Sequence, residues 1–326
     1  MTLDSFDNFD HYCQHFMDPD FWTPHVLDVC ARHSFLAESI RPGLAGTYPT
    51  FIVAERWVVK FFGRLFDGQQ AHAVEQAAGR LLCGWQTLPV AQIQAEGQLR
   101  DESGGWPWPY LVYNFLPGVS IGEVYEQVLP EEKLRLARDM GRVVRELHDL
   151  PLPAEGPLRR DWAPFRTFLS ELYTTCPARL AEWKALPPHL LAQVNGFLPP
   201  LDELIDESAP PRFLHGDLTR DHLLGQVREG RWITSGWIDF GDARAGDPFY
   251  EWVALHLDLF GGNCALLSAF LDAYGLPAAQ GSSFAHRAMA YTLLFPFNVT
   301  GMHMERHSEL AGYATLEELA EKIWGA

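Results

Sequence analysis

Basic residues are in short supply in this chain. Over 326 residues, 25 Lys and Arg stand against 42 Asp and Glu, a formal net charge of −17. Nucleic-acid binding normally needs a basic face, so that class is set aside, and an acidic surface would instead concentrate cationic ligands. Cysteine is equally sparse. Cys13, Cys30, Cys83, Cys176 and Cys264 are scattered, odd in number and without a CxxC pair. This argues against a disulfide framework or a zinc knuckle and fits a reducing compartment. No apolar run approaches the roughly 18 residues that span a bilayer. The start, MTLDSFDNFDHY, lacks the basic region and apolar core of a signal peptide. The expectation is a cytoplasmic protein, a monomer without membrane or nucleic-acid partners.

What is present is an ordinary globular mixture, 47% hydrophobic and 21% charged, long enough for one large domain or two lobes sharing a cleft. No internal repeat is evident. Pro24 to Leu36 carries apolar residues at helical spacing. In RPGLAGTYPTFIVAERWVVKFF, Gly43, Gly46 and Pro49 punctuate a loop, and the β-rich runs Phe51–Ala54 and Trp57–Phe62 flank a tight turn at Glu55-Arg56. A helix is predicted over Ala71 to Cys83, then a strand in WPWPYLVYNFLPG that ends in a Pro-Gly connector. From Pro130 the texture turns helical: Leu136, Met140, Val143, Val144 and Leu147 form a core stripe. The last helix opens with a capping box, Thr315 to Glu318. The organisation expected is α+β, with a small β-rich N-terminal lobe over 1–113, a connector at 114–118, and a larger helical lobe over 119–326.

Chemistry concentrates in HGDLTRDHLLGQVREGRWITSGWIDFGDARAGDPFYE, residues 215–251. A His-Gly-Asp turn precedes His222, a short strand, a charged turn and a second strand, Trp232 to Ile238, that delivers Asp239. Two carboxylates and an imidazole thus sit at the lips of one hairpin. Phosphoryl transfer needs a carboxylate to orient a hydroxyl nucleophile and oxygen ligands for Mg²⁺ on the donor phosphates. Upstream, Lys60 sits inside the apolar strand VVKFF, where an unpaired ammonium would be costly. Glu75 follows fifteen residues later on the predicted helix. A strand lysine paired to a helix glutamate positions donor phosphates in kinase-like folds.

The order of these parts is that of a protein kinase, but the details resemble the aminoglycoside phosphotransferase and choline-kinase superfamily, in which HGDLxxxN and IDFG replace HRDLxxxxN and DFG. The similarity covers almost the whole chain. WPWPYLV, MGRVVRELH, the hairpin, YEWVALHLDLFGG and ATLEELAEKIWG look like the branch containing hygromycin B phosphotransferases. The resemblance implies a bilobal protein-kinase-like fold and a set of roles. Asp217 would be the catalytic base, and Asp239 a ligand of Mg²⁺ bridging the phosphates of ATP or GTP. Lys60 would contact the α/β-phosphates, held by Glu75. The nucleotide base would meet the connector near Asn114 and Leu116, between Ile52 and Ile238, with Tyr113 in the gatekeeper position, where a bulky ring could favour GTP. His215 and Asp247 would brace the loop.

Two departures stand out. His222 occupies the place of a metal-binding Asn, although imidazole suits softer metals than Mg²⁺. The loop RPGLAGTYPTF is not GxGxxG, and its backbone amides, Gly46 and Thr47 among them, are what could cover phosphates. The acidic positions Glu251, Asp258 and Asp272 are candidates for contacting ammonium groups of the acceptor. The histidine pairs His11/His15 and His303/His307 have metal-compatible spacing but lack the glutamate of HExxH, and packing roles are favoured. The function expected is phosphoryl transfer from ATP or GTP to an aminoglycoside, hygromycin B foremost. The alternatives are a kinase of another cationic or hydroxylated metabolite, choline-like or a hydroxy-amino acid, and a metallohydrolase using His215, Asp217, His222 and Asp239. A non-catalytic, ligand-sequestering protein is disfavoured because Lys60, Glu75, Asp217 and Asp239 are all present.

Overall fold

The structure is a computed structural model that describes residues 2–44, 46–100, 105–276 and 281–325. The chain divides into two compact units, Met1–Gly118 with Ser235–Asp242, and Val119–Thr234 with Ala243–Ala326. Residues Ser235–Asp242, which a division by sequence alone leaves with the C-terminal lobe, pack with the first unit.

The first unit is built on an antiparallel sheet of five strands: β1 (Ile40–Pro42), β2 (Thr50–Val53), β3 (Trp57–Phe61), β4 (Ile93–Gln98) and β5 (Pro109–Asn114), in the order β1-β2-β3-β5-β4. The turn joining β2 to β3 places Ala54 and Glu55 both at positive φ, 52° and 50°. Arg56 N–H closes the turn on the Val53 carbonyl at 3.0 Å, and the strands pair from Val53 and Trp57 onward, so three residues make the connection. Register then decides the faces. Phe51 lies opposite Val59, Val59 opposite Val112 and Phe61 opposite Tyr110. Side chains alternate along a strand, so these residues share one face. That face is buried under helix α2 (Pro19–His33), which follows the short helix α1 (Phe9–His15). Trp22 of α2 stacks on Phe61 at 4.8 Å between ring centroids, and Val26 and Val29 complete the layer. Each such fully buried side chain contributes on the order of 2 kcal/mol.

The opposite face carries Val58, Lys60, Leu111 and Tyr113, and helix α3 (Gly68–Leu81) covers it. The helix starts at glycine because the chain doubles back: a Cβ on Gly68 would lie 1.8 Å from the carbonyl oxygen of Gly63. Val74, Glu75 and Ala78 form its buried stripe. Glu75 therefore belongs, by position, to the face that would ordinarily be apolar.

The second unit begins with β6 (Val119–Ser120), the helical turn α4 (Ile121–Val124) and α5 (Pro130–His148). Helix α6 (Ala163–Glu182) and three helical turns, α7 (Pro188–Leu191), α8 (Val194–Phe197) and α9 (Leu201–Leu204), lead to β7 (Arg212–Leu214), β8 (Leu223–Arg228) and β9 (Arg231–Trp237). Strand β9 starts in the second unit and ends in the first. The β8–β9 turn again uses two positive-φ residues, Glu229 and Gly230. After β10 (Arg244–Gly246), which pairs with β7, come α10 (Pro248–Ala254), α11 (Cys264–Tyr274), α12 (Gly281–Leu294), α13 (Val299–Arg306) and α14 (Leu316–Trp324). The stripe on α5 packs along α11. Close approach is possible at Gly141, where a Cβ would lie 2.4 Å from the Phe270 carbonyl. The capping box on α14 is formed: Glu318 N–H donates to Thr315 Oγ1 at 3.1 Å, and Thr315 N–H to the Glu318 carboxylate at 3.3 Å. Among the described residues no helix is long and apolar enough to cross a membrane.

Candidate active site

The predicted residues fall into two groups, one in each unit. In the first unit, Lys60 from β3 and Glu75 from α3 form an ion pair that is almost sealed from solvent, with the residues 7% and 4% exposed. Lys60 Nζ also donates to Asp239 Oδ1 at 2.9 Å. Tyr113 of β5 adds a hydrogen bond from its hydroxyl to the second oxygen of Glu75. Four side chains from three strand-end or helix positions and one loop thus make a connected polar network inside an apolar setting. The rings of Phe62 and Tyr48 lie 5.4 Å and 5.6 Å from the ammonium.

Charge explains the protonation states. Burial pulls the Lys60 ammonium down, but Asp239 and Glu75 outweigh it and hold the group above its ordinary value. Burial pushes the Glu75 carboxyl up to about 7, against the pull of Lys60 and with the repulsion of Asp239 adding to it. Burial likewise drives the Tyr113 phenol well above its ordinary value, reinforced by Glu75, so it remains a donor. Asp239 sits at φ 64°, in the left-handed region, and its side chain is 35% exposed. Asp is one of the few non-glycine residues that tolerates this conformation.

The remaining first-unit positions frame this network. Ile52 is buried on the Lys60 face, and Leu116 and Ile238 are buried and half-buried. The Asn114 side chain accepts from Gln92 N–H at 2.6 Å, which pins the chain leading into β4. Loop 43–49 closes the β1–β2 hairpin, with Gly43 N–H donating to the Thr50 carbonyl at 2.8 Å and the Tyr12 hydroxyl to the Thr47 carbonyl at 2.7 Å. Gly46 is exposed, and Ala45 lies outside the described residues.

In the second unit the His-Gly-Asp turn follows β7. Gly216 supplies a φ of 88° that a side chain would strain. Asp217 N–H donates to Nδ1 of the fully buried His215 at 3.3 Å. His222, on a short 3₁₀ turn over Arg220–His222, holds its Nδ1 2.7 Å from the Asp217 carbonyl. A carbonyl only accepts, so Nδ1 carries a proton. The Asp217 carboxylate is 3.5 Å from the same Nδ1.

Glu251, a candidate for contacting the acceptor's ammonium groups, points inward. It is 1% exposed on α10, and its two oxygens accept from His215 N–H at 3.1 Å and Gly216 N–H at 2.8 Å. It braces the turn that presents Asp217. Burial raises its carboxyl to about 7, opposed by those two N–H donors. Asp258 is also engaged internally: its Oδ1 accepts from Arg220 N–H at 2.8 Å, and its carbonyl receives the Arg220 guanidinium at 2.6 Å and 3.0 Å. The physical reason is common to both. The backbone of a tight loop has donors that need acceptors, and these carboxylates supply them. Asp247 caps α10 through Phe249 N–H at 3.0 Å and pairs with Arg287 at 2.6 Å.

The rings of each histidine pair lie tilted against each other as helix neighbours, 4.6 Å between centroids, and His303 is buried. Among the described residues no group of three or more His, Cys, Asp or Glu is arranged to hold a metal ion.

With this geometry in hand, comparison decides the family. A model described as the phosphotransferase enzyme family matches residues 40–290. The chain belongs to that family. Its fold is shared with solved aminoglycoside phosphotransferases. The GDP complex of aminoglycoside 2′-phosphotransferase-IIIa superposes with a TM-score of 0.65 at 19% identity, covering 92% of this chain and 97% of that one. The streptomycin–ATP ternary complex of APH(2″)-IIa gives 0.57 at 18%, covering 92% and 97%. APH(3″)-Id from Streptomyces rimosus, with ADP and streptomycin, gives 0.54 at 20%, covering 85% and 98%. The mixed α/β fold is thus the kinase-like one, with the sheet in the N-terminal region and helices dominating the C-terminal part. A curated relative, lysine-specific demethylase JMJ21 of Arabidopsis thaliana, is 23% identical over 271 residues. The alignment takes in 67% of this chain, which spans 28% of the length of that relative.

Proposed function

We propose that the chain transfers the γ-phosphoryl group of ATP or GTP to a hydroxyl of an aminoglycoside, hygromycin B in particular. The observation that carries this reading is the Lys60–Glu75–Asp239 network. A buried ammonium kept charged by two carboxylates is a preorganised partner for donor phosphates, and such positioning supplies most of the catalysis in phosphoryl transfer. Lys60 binds the α/β-phosphates and Glu75 holds it in place. The purine lies between Ile52 and Ile238 and hydrogen-bonds the backbone near Asn114 and Leu116, and amides of the loop around Gly46 and Thr47 cover the phosphates. Asp217 orients the acceptor hydroxyl and takes its proton, on a turn that Glu251 stiffens from below.

The hard carboxylate of Asp239, partly exposed and held in a fixed backbone conformation, fits Mg²⁺. Such an ion, when bound, neutralises charge on the donor phosphates. His222 offers Nε2, a ligand of modest strength toward a hard cation, directly or through water. The solved relatives named above contain GDP, ATP, ADP and streptomycin, which supports a nucleotide donor and a cationic acceptor. The −17 net charge suits a polycationic acceptor as well. The reading treats the enzyme as a cytoplasmic monomer.

The test is a panel of hygromycin B, kanamycin, streptomycin, choline and serine, each assayed with ATP and with GTP, and the product phosphate located by NMR. Transfer to hygromycin B above the others supports the reading. Transfer to choline or serine alone replaces the acceptor class, and turnover with neither nucleotide removes the reading.

A further inference from the structure

The first-unit network holds a hydrogen bond beyond the lysine–glutamate pair, and Tyr113 supplies it. In the register of β3 and β5, Tyr113 lies opposite Val58 and Leu111 opposite Lys60. All four side chains therefore share the face covered by α3. The Tyr113 ring is seated against the cluster of Tyr48, Phe62 and Leu111, beside Ala71 and Ile93. From there its hydroxyl reaches one oxygen of Glu75, while the other oxygen receives Lys60.

The terminal torsion of a glutamate is broad, so a carboxylate held at one oxygen can swing. Held at both oxygens, by groups on two different strands, it turns only by breaking a buried charge-assisted hydrogen bond. Lys60 is shared between Glu75 and Asp239, and a swinging Glu75 would release the ammonium toward Asp239. We infer that Tyr113 is a positioning residue of the phosphate clamp: its phenol locks the Glu75 carboxylate and thereby fixes where Lys60 stands. The inference rests on the reading that Lys60 contacts the donor phosphates. It assigns Tyr113 to the phosphate end of the nucleotide rather than to selection of the purine.

The experiment uses the full chain and Tyr113→Phe, which keeps the ring and removes only the hydroxyl. Tyr113→Met, which fills the space without a donor, serves as the second variant. Calorimetric titration with ATP and GTP, and with adenosine and guanosine, separates the two ends of the ligand. Tyr113→Phe is expected to weaken both triphosphates about tenfold, the scale of one hydrogen bond to a charged group, and to leave both nucleosides unchanged. Steady-state turnover should show the nucleotide KM raised about as much while kcat moves little. On a Glu75→Gln background the Phe substitution should add nothing. Unchanged triphosphate affinity, an equal loss for the nucleosides, or a full effect on the Gln background would each overturn the assignment. An equal loss for nucleosides would make Tyr113 a purine gate. If Lys60→Met left triphosphate affinity intact, the phosphate-clamp reading itself would fail, an outcome distinct from failure of the Tyr113 role alone.

Discussion

Glu251 offers a test that links folding to the candidate base. Its carboxyl is sealed beneath the His-Gly-Asp turn, accepts two backbone N–H groups, and is raised by burial from 4.5 to about 7. The sign follows from proton linkage. A carboxyl that binds its proton more tightly in the folded state favours folding fully below its ordinary value, and that advantage is lost as pH rises toward 7. Between pH 5 and pH 8 the loss from this one group is about 2.5 kcal/mol, at about 1.4 kcal/mol per pKa unit. Glu251→Gln removes the titration and mimics the protonated form. Urea denaturation of both proteins at pH 5 and pH 8 should therefore show the variant gaining about 2.5 kcal/mol relative to the native chain on going to the higher pH. Glutamine can accept only one of the two N–H donors and turns its own donor toward the other, so the turn carrying Asp217 loosens. Turnover at pH 8 should fall about tenfold to a hundredfold even as relative stability improves. Parallel pH profiles for the two proteins, with unchanged turnover, would refute the reasoning.

Other consequences follow from the same geometry. His256 is buried with Nε2 2.8 Å from the Ile323 carbonyl, and burial lowers its imidazole to about 4. Its neutral form is the folded one, so stability should fall by about 2 kcal/mol from pH 7 to pH 5, a loss that His256→Gln should remove in urea titrations. Thr315→Ala breaks the capping box of α14 and should lower unfolding free energy by about 1 kcal/mol, measured by the same method. Lys60→Met leaves Glu75 without its cation. Triphosphate affinity should drop tenfold or more by calorimetry, and the stability gap to the native chain should widen above pH 7 as Glu75 resists ionisation.

Much of this was legible in the chain because local rules and tertiary demands agreed. A lysine inside VVKFF needs a counter-charge, and Glu75 stands on the buried stripe of the next helix. The core stripe of α5 and the Thr315–Glu318 box read directly from spacing. Strand β4 did not. IQAEGQ alternates half-buried and exposed positions with polar side chains on the exposed ones, and its pairing with β5 rather than its composition makes it a strand. The stacking of Trp22 on Phe61 joins segments far apart in sequence and left no local mark. In sequence, Glu251 reads as a candidate for contacting the acceptor's ammonium groups, and nothing local marks it as buried. It faces in because the His215 and Gly216 amides of the His-Gly-Asp turn donate to its two carboxylate oxygens.

The measurement that bears most directly on the account is transfer of γ-labelled phosphate from ATP or GTP to an aminoglycoside by the native chain and by Asp217→Asn. The account predicts labelled aminoglycoside from the native chain. For the variant it predicts a kcat lower by about a hundredfold to ten-thousandfold, with nucleotide affinity unchanged, since the proposed function gives Asp217 the acceptor hydroxyl and Lys60 the donor. Equal transfer by both proteins, or no transfer to any aminoglycoside with either nucleotide, would contradict it.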